Sequence, residues 1–202
     1  MSQPHQPHQL DQRAHQPIMT RQASAVLLRE AGIALAAAAA VGASAQIAVP
    51  LPGTPVPMTL QTLAVLLTGI TLGWARAGAS LALYVAAGFA GVPWFAEHAA
   101  GNPGASAGYL LGAIPAAMIA GLLSVRLEGR SVVGRVAPLL AGSAMIYAIG
   151  VPVLMTVTGA NLAEGVAMGV TPFLLGDTIK LVAAFAAAPL AMKAAGRFAR
   201  RH

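Results

Sequence analysis

The chain has 202 residues, of which 57% are hydrophobic and only 9% are charged, whereas soluble domains have about 25% charged residues. Its mean hydropathy is +0.71, and apolar runs of membrane length recur from residue 25 onward, which excludes an ordinary soluble protein and predicts a polytopic membrane protein. The net charge of +6 is therefore expected in cytoplasmic loops rather than on a nucleic-acid surface, and the absence of cysteine excludes disulfides and thiol chemistry.

Residues 1–24 are rich in glutamine, histidine and proline, a composition that buries too little apolar surface to fold. Three histidines in this segment raise the possibility of a metal site, but no acidic residue or cysteine lies at ligand spacing. We therefore predict a disordered cytoplasmic tail at 1–24, a membrane domain at 25–194, a basic cytoplasmic tail at 195–202, and no metal site.

Six apolar segments are predicted in the membrane domain. They cover about 25–49, 59–73, 78–91, 107–125, 132–156 and 171–194. The second and third are short for a span of about 20 residues, but Arg76 and two glycines separate them. With six segments, the loops at 50–58, 92–106 and 157–171 contain no lysine or arginine. Because positive charge belongs inside, we predict an all-α fold of six transmembrane helices with both termini cytoplasmic.

The first segment is rich in small residues. Ala34, Ala38 and Gly42 are spaced four apart, and so are Ala36, Ala40 and Ser44. Such spacing gives faces where another helix can approach closely, although in an alanine-rich helix ordinary intramolecular packing explains it equally. Gln46 near the outer end is a polar group at membrane depth and needs a hydrogen-bond partner.

The connection between the first two segments reads V-P-L-P-G-T-P-V-P-M-T-L-Q-T-L over residues 49–63. Each proline lacks an N–H and disfavours helix in the residue before it, so this stretch is predicted to be a rigid, semi-extended apolar loop. Thr59 is a suitable N-cap for the second segment.

Asp177 and Lys180 are the only charged residues that lie more than five residues from either end of a predicted span. Each costs about 2.5–3.5 kcal/mol at the bilayer centre, and their spacing of three places them on one helix face, where they can pair. Intramembrane charges mark functional sites by default, the alternative being a structural ion pair. A polar, uncharged ring with both N–H and C=O groups would suit this pair.

The run G-A-S-A-G at 104–108 matches the nucleophile elbow of serine hydrolases. That motif requires a preceding strand and a following helix in an α/β sheet, whereas here it follows a loop and enters a membrane segment. His98 is the only nearby base. The chain also has no P-loop sequence, so it is predicted to be neither an enzyme nor an ATPase.

The run P-L-P-G-T-P-V-P-M-T-L-Q-T-L (50–63), with G-Y-L-L-G (108–112) and P-F-L-L-G-D-T-I-K (172–180), resembles the BioY family. These are the biotin-binding S-components of energy-coupling-factor (ECF) vitamin transporters. The resemblance covers about residues 30–194. It implies a six-helix protein of the bacterial cytoplasmic membrane, with a biotin pocket open to the outside under the loop between the first two helices.

The resemblance also implies roles for individual residues. Asp177, Lys180 and Tyr109 are expected to bind the ureido group of biotin, and Asn102 corresponds to a loop asparagine of the family. Pro52, Val56 and Met58 are expected to cover the apolar parts of the ligand, with Thr59, Gln61 and Thr62 as polar contacts from below. Ala34, Ala36, Ala38 and Ala40 are candidates for docking on the transmembrane coupling subunit.

The implied function is high-affinity biotin uptake, with ATP used only by two ATPase subunits of a partner module and no cofactor on this chain. One alternative is a self-sufficient, homo-oligomeric biotin carrier. Two weaker alternatives are a membrane enzyme that uses Asp177–Lys180 or Ser106–His98, and a structural membrane subunit without a ligand.

Overall fold

The structure is a computed structural model that describes residues 11–127 and 131–199, with side chains at 22–127 and 131–194. In these ranges the chain forms seven α-helices and one two-stranded ladder. They are α1 (Asp11–Ala45), β1 (Ala48–Val49), β2 (Met58–Thr59), α2 (Gln61–Leu72), α3 (Trp74–Phe89), α4 (Ala107–Arg126), α5 (Val132–Thr158), α6 (Leu162–Gly169) and α7 (Leu174–Ala199). Short 3₁₀ turns cover Ala96–His98, Gly104–Ser106 and Thr171–Phe173.

Five helical stretches of the described chain are long and apolar enough to cross a membrane. They are Gln22–Ala45, Gln61–Phe89, Gly104–Arg126, Val132–Thr158 and Leu162–Ala194. An all-α membrane protein, as predicted from composition, is therefore confirmed. The loop predicted at 157–171 contains an additional short helix, α6, whose N-terminus carries a capping box between Asn161 and Glu164.

The chain divides into two compact units, one up to Ile33 and one from Ala34 onward. Helix α1 begins at Asp11, so the predicted boundary near Ala25 is not the start of a helix in this structure. Residues 1–10 of the predicted tail lie outside the described residues, and so do residues 200–202 of the C-terminal tail.

Helix α4 lies at the centre of the second unit. Its Ala113, Ala116, Ala117 and Ala120 are at most 2% exposed, and α2, α3 and α5 pack around it. The contacts are close because small residues meet at them: a methyl group placed on Gly69 of α2 would lie 2.5 Å from the carbonyl oxygen of Ala117. Small residues at helix crossings are the usual means of packing within membranes.

Helices α2 and α3 meet at Gly73, whose backbone (φ 77°, ψ 169°) ends one helix and begins the next. A methyl group on Gly69 would contact Ala117, and one on Gly78 would contact Met118. Residues on either side of Gly73 thus face the same level of α4, so the chain reverses direction there. This supports the division of the 61–89 stretch into two antiparallel segments, which the charge distribution predicts.

The proline-rich loop is closed at its base. Ala48 pairs with Thr59 and Val49 with Met58 in the antiparallel ladder, and the N–H of Leu60 donates to the carbonyl of Ile47 at 3.0 Å. The Thr59 hydroxyl accepts from the N–H of Gln61 at 3.3 Å, although Leu60 occupies the N-cap position. The loop at 50–57 is therefore anchored at both ends, directly above α2.

Gln46 ties the end of α1 to the segment that follows α3. Its Nε2 donates to the carbonyls of Gly42, Trp94 and Phe95 at 2.9–3.0 Å, and its Oε1 accepts from the N–H of His98 at 3.1 Å. The partner that this polar side chain requires is thus the backbone at 94–98. Tyr84 supports the same segment, because its hydroxyl donates to the carbonyl of Trp94 at 3.2 Å.

Candidate functional site

A cavity of about 230 Å³ opens beneath the proline-rich loop. Its walls come from the loop and α2, the segment after α3, the outer parts of α4 and α5, and the start of α7. The lining residues are Pro55, Val56, Pro57, Thr59, Gln61, Thr62, Val65, Phe95, Ala96, Glu97, Ala99, Pro103, Ser106, Tyr109, Leu110, Ala113, Ser143, Ile146, Tyr147, Phe173, Asp177 and Lys180. Apolar side chains thus share the wall with polar ones, and a concave surface on which polar groups converge is typical of small-molecule sites.

A continuous chain of hydrogen bonds runs along the wall of this cavity. The hydroxyl of Tyr147 on α5 donates to Oδ2 of Asp177 on α7. Lys180 Nζ donates to Oδ1 of Asp177 at 2.7 Å and to the hydroxyl of Thr62 on α2 at 3.0 Å. The side chains of Lys180 and Asp177 are only 11% and 13% exposed, so their charges compensate each other where solvent screens little.

The arrangement leaves hydrogen-bonding capacity for a ligand. Each oxygen of Asp177 has one partner among the described residues, and a carboxylate oxygen can accept two hydrogen bonds. Lys180 uses two of its three N–H donors. The pair thus offers two acceptor positions and one donor position side by side, which complements a neutral group that carries both N–H and C=O.

Gln61 adds a second polar group to the wall. Its side chain lines the cavity, the residue is only 8% exposed, and its amide makes no hydrogen bond with the residues that the structure describes. A primary amide can both donate and accept, and since no fully buried side-chain N or O atom of the described residues lacks a partner, this unbonded amide is open to the space of the cavity. Gln61 is therefore available to a ligand.

Most of the predicted binding residues line this cavity. They are Asp177, Lys180, Tyr109, Gln61, Thr59, Thr62 and Val56. Tyr109 has a partner of its own, because its hydroxyl donates to the carbonyl of Gly169 at 2.8 Å and so joins α4 to the end of α6. Its ring stands edge-on to that of Tyr147, with the centroids 6.3 Å apart.

Three other predicted binding residues, Pro52, Met58 and Asn102, are not among those that line the cavity. Met58 packs on Gly176 of α7, in an apolar cluster with Val56 and Phe173. Asn102 lies in the turn before α4, where its Oδ1 accepts from the N–H of Gly104 at 3.0 Å. That short-range bond is typical of asparagine in turns.

Tyr147 and Ser143 line the cavity but were not predicted from the sequence. They stand four apart on α5 and therefore share one helix face. The available signal was two hydroxyl groups at helical spacing within an otherwise apolar stretch at 136–155. Glu97 also lines the cavity and was not predicted. It lies in the loop after α3, where no helical spacing relates it to the other site residues.

The four candidate alanines of α1 do not share one environment. Ala38 is 0% exposed and Ala34 is half-buried, whereas Ala36 and Ala40 are exposed. Ala34 and Ala38 thus pack within the protein, whereas Ala36 and Ala40 point away from it.

The residues of the apparent nucleophile elbow do not form one. Ser106 ends a 3₁₀ turn, Gly104–Ser106, that leads directly into α4. The motif instead requires a β-strand before the serine. His98 is exposed, with φ 59°, and its N–H is used by Gln46.

Comparison with known proteins identifies the family of this chain. The family model described as the BioY family matches residues 15–197. The Biotin transporter BioY of Thermotoga maritima is 38% identical over 137 residues, which cover 66% of this chain and 79% of that protein. The Biotin transporter BioY of Rhizobium etli is 36% identical over 143 residues, which cover 64% and 74%.

The fold also has a counterpart among solved structures. The crystal structure, at 2.1 Å, of the S-component for biotin from an ECF-type ABC transporter aligns with a TM-score of 0.71. The alignment covers 80% of this chain and 89% of that one, at 19% identity. At this identity the likeness shows a common fold, while the sequence match carries the family: this chain belongs to the BioY family.

Proposed function

We propose that this protein captures biotin from the outside of the cell and serves as the biotin-specific S-component of an ECF-type transporter. Membership of a transporter family makes it a membrane transport protein and not an enzyme. The observation that carries the proposal is the chain of hydrogen bonds Tyr147–Asp177–Lys180–Thr62 in the wall of the cavity.

The ureido group of biotin has two N–H donors and one C=O acceptor. In the proposed complex Asp177 accepts from the ureido N–H groups, and the free N–H of Lys180 donates to its carbonyl. Tyr147 holds the carboxylate in place from the side opposite to Lys180. Gln61 supplies a further polar contact, and Tyr109 contributes mainly its ring because its hydroxyl serves Gly169.

The apolar bicyclic ring and the valeryl chain suit the rest of the wall. Val56 of the proline-rich loop, Val65, Leu110 and Phe173 supply apolar surface at the cavity. In the proposal the proline-rich loop covers the bound ligand. Since prolines and the ladder at its base restrict its conformations, ordering this loop costs little entropy on binding.

Energy for uptake comes, in this proposal, from a separate module of two ATPase subunits and a transmembrane coupling subunit. Ala36 and Ala40 are the candidate contacts of α1 with the coupling subunit, because their side chains are exposed and small enough for close helix approach. Ala38 is buried within the protein and supports the helix from inside.

The proposed topology has six transmembrane helices, with both termini on the cytoplasmic side of the cytoplasmic membrane, and tails at 1–24 and 195–202. The reversal at Gly73 and the position of Arg76 just after it support a cytoplasmic turn between α2 and α3. Because the chain has no native cysteine, single cysteines report sidedness cleanly. Thr54→Cys should react with an impermeant maleimide in whole cells, and Trp74→Cys only after permeabilisation; the reverse pattern would contradict this topology.

The direct test is equilibrium binding of labelled biotin to the detergent-purified protein. Asp177→Asn should weaken binding at least 100-fold, because it replaces a charged acceptor of the ureido N–H groups. The matched control is Lys193→Met. Lys193 lies on the same helix and is exposed, so this variant should bind biotin like the wild type. Unchanged affinity in Asp177→Asn, or no binding by the wild type, would contradict the proposal.

A second measurement addresses the partners. Uptake of labelled biotin is compared in cells that express this chain alone and in cells that also express a coupling subunit and its ATPases. Uptake that depends on the module supports the S-component role. Equal uptake by the chain alone would instead favour the self-sufficient carrier.

A further inference from the structure

The charges of the cavity wall are unbalanced toward the negative side. Of the described residues that line the cavity, three are charged: Asp177, Lys180 and Glu97. Lys180 and Asp177 neutralise each other across 2.7 Å. Glu97 therefore leaves the wall with a net charge of −1, and no second cation lines it among the residues that the structure describes.

Glu97 is held at the cavity by the backbone around it. Glu97 and His98 both have left-handed backbone conformations, with φ of 58° and 59°, which non-glycine residues rarely adopt. The N–H of His98 donates to Gln46, and the N–H of Phe95 donates to the carbonyl of Ala99 at 3.1 Å. Strained conformations that the surroundings enforce in this way cluster at ligand sites.

The tail of biotin ends in a carboxylate, which is an anion at neutral pH. If the ureido ring uses Asp177 and Lys180, as in the proposed function, the one cation among the described lining residues, Lys180, is already engaged. The remaining donors are hydroxyl and amide groups such as Ser106, Ser143 and Gln61. These serve the oxygen of a neutral amide as well as that of a carboxylate.

We infer that this site also binds ureido-ring compounds with a neutral or cationic tail, namely amides of biotin with ammonia or with amines. The carboxylate of biotin is not selected by an ion pair, and the charge of Glu97 favours a cationic tail over an anionic one. This inference rests on the proposed function, since it needs the ureido ring at Asp177 and Lys180.

The test is competition against labelled biotin on the purified full chain. Three competitors share the ureido ring and the valeryl chain and carry tails of different charge: biotin (−1), biotinamide (0) and the ethylenediamine monoamide of biotin (+1), whose tail is also longer by an aminoethyl group. We expect biotinamide to compete within about threefold of biotin. The cationic amide should compete about two- to fivefold better than biotinamide at low ionic strength, because an exposed carboxylate near it contributes a screened attraction.

Glu97→Gln removes the charge without shortening the side chain and should abolish the preference for the cationic amide. Glu164→Gln is the matched control: Glu164 lies in the capping box of α6, away from the cavity wall, and glutamine also serves in that box. Competition by biotinamide at least tenfold weaker than by biotin would overturn the inference, as would an unchanged preference in Glu97→Gln. Failure of biotin itself to bind would contradict the proposed function instead.

Discussion

Tyr147 on α5 donates a hydrogen bond to the carboxylate of Asp177 on α7, 30 residues further along the chain. Lys180 approaches the other oxygen of the same carboxylate at 2.7 Å. Asp177 is therefore held from two sides by groups that differ in charge. One of them, Lys180, neutralises the carboxylate, and the other, Tyr147, fixes its orientation without changing the net charge.

Replacing Tyr147 by phenylalanine should weaken biotin binding about tenfold, because one hydrogen bond to a charged group is lost and Asp177 can turn away from the ligand. Equilibrium binding of labelled biotin measures the change. The matched control is Thr156→Val on the same helix, since the exposed Thr156 hydroxyl donates to the carbonyl of Val153 and does not line the cavity. A Tyr147→Phe protein with wild-type affinity would show that the tyrosine has no part in positioning Asp177.

Single and double variants of Asp177 and Lys180 can distinguish a role of this pair in ligand binding from a purely structural role. Asp177→Asn or Lys180→Met alone should lower the free energy of unfolding by about 3 kcal/mol, because each leaves a poorly solvated charge without its partner. The double variant should regain much of that stability, since no charge remains unpaired. Thermal unfolding in detergent and biotin binding are measured on the same samples.

If the pair serves the ligand, the double variant remains unable to bind biotin despite its recovered stability. Recovery of binding together with stability would mean that the pair is structural only.

The contact between α2 and α4 should not tolerate a methyl group at Gly69. A Cβ there would lie 2.5 Å from the carbonyl oxygen of Ala117, so Gly69→Ala should destabilise the protein by about 2 kcal/mol through overpacking. Gly32→Ala is the control, because a Cβ at Gly32 meets nothing within 4 Å among the described residues. The measurement is the thermal midpoint in detergent, and equal midpoints for the two variants would refute the close packing.

Gln46 should control the order of the segment that carries Glu97. Gln46→Leu removes the donor to the carbonyls of Trp94 and Phe95 and the acceptor for the N–H of His98. We expect faster hydrogen exchange in a peptide that covers 92–99, together with a faster release of biotin. Ser44→Ala serves as the control, because the Ser44 hydroxyl donates only within α1, to the carbonyl of Val41. Unaltered exchange in Gln46→Leu would mean that Tyr84 and Trp94 hold the segment without it.

Much of the architecture was predictable because it depends on local properties. Hydropathy marked the segments that become α1, α2, α3, α4, α5 and α7, and the distribution of arginine separated α2 from α3. The extent of α1 toward Asp11 and the short helix α6 were not predicted. Polar residues such as those before Ala25 can continue a helix without contributing to an apolar pattern.

The candidate site was predictable only in part, because only some of its contacts are set by spacing along a single helix. Asp177 and Lys180 stand three apart on one helix, so the geometry of a single helix brings them together. Thr62 and Lys180 are 118 residues apart, and no local pattern relates them. By itself the amino-acid sequence determined a membrane protein of the BioY family with a charged pair inside a span. Only the tertiary structure decided which hydroxyls complete that pair, which alanines of α1 face inward and where Glu97 lies, because these depend on how separate helices pack rather than on spacing along one of them.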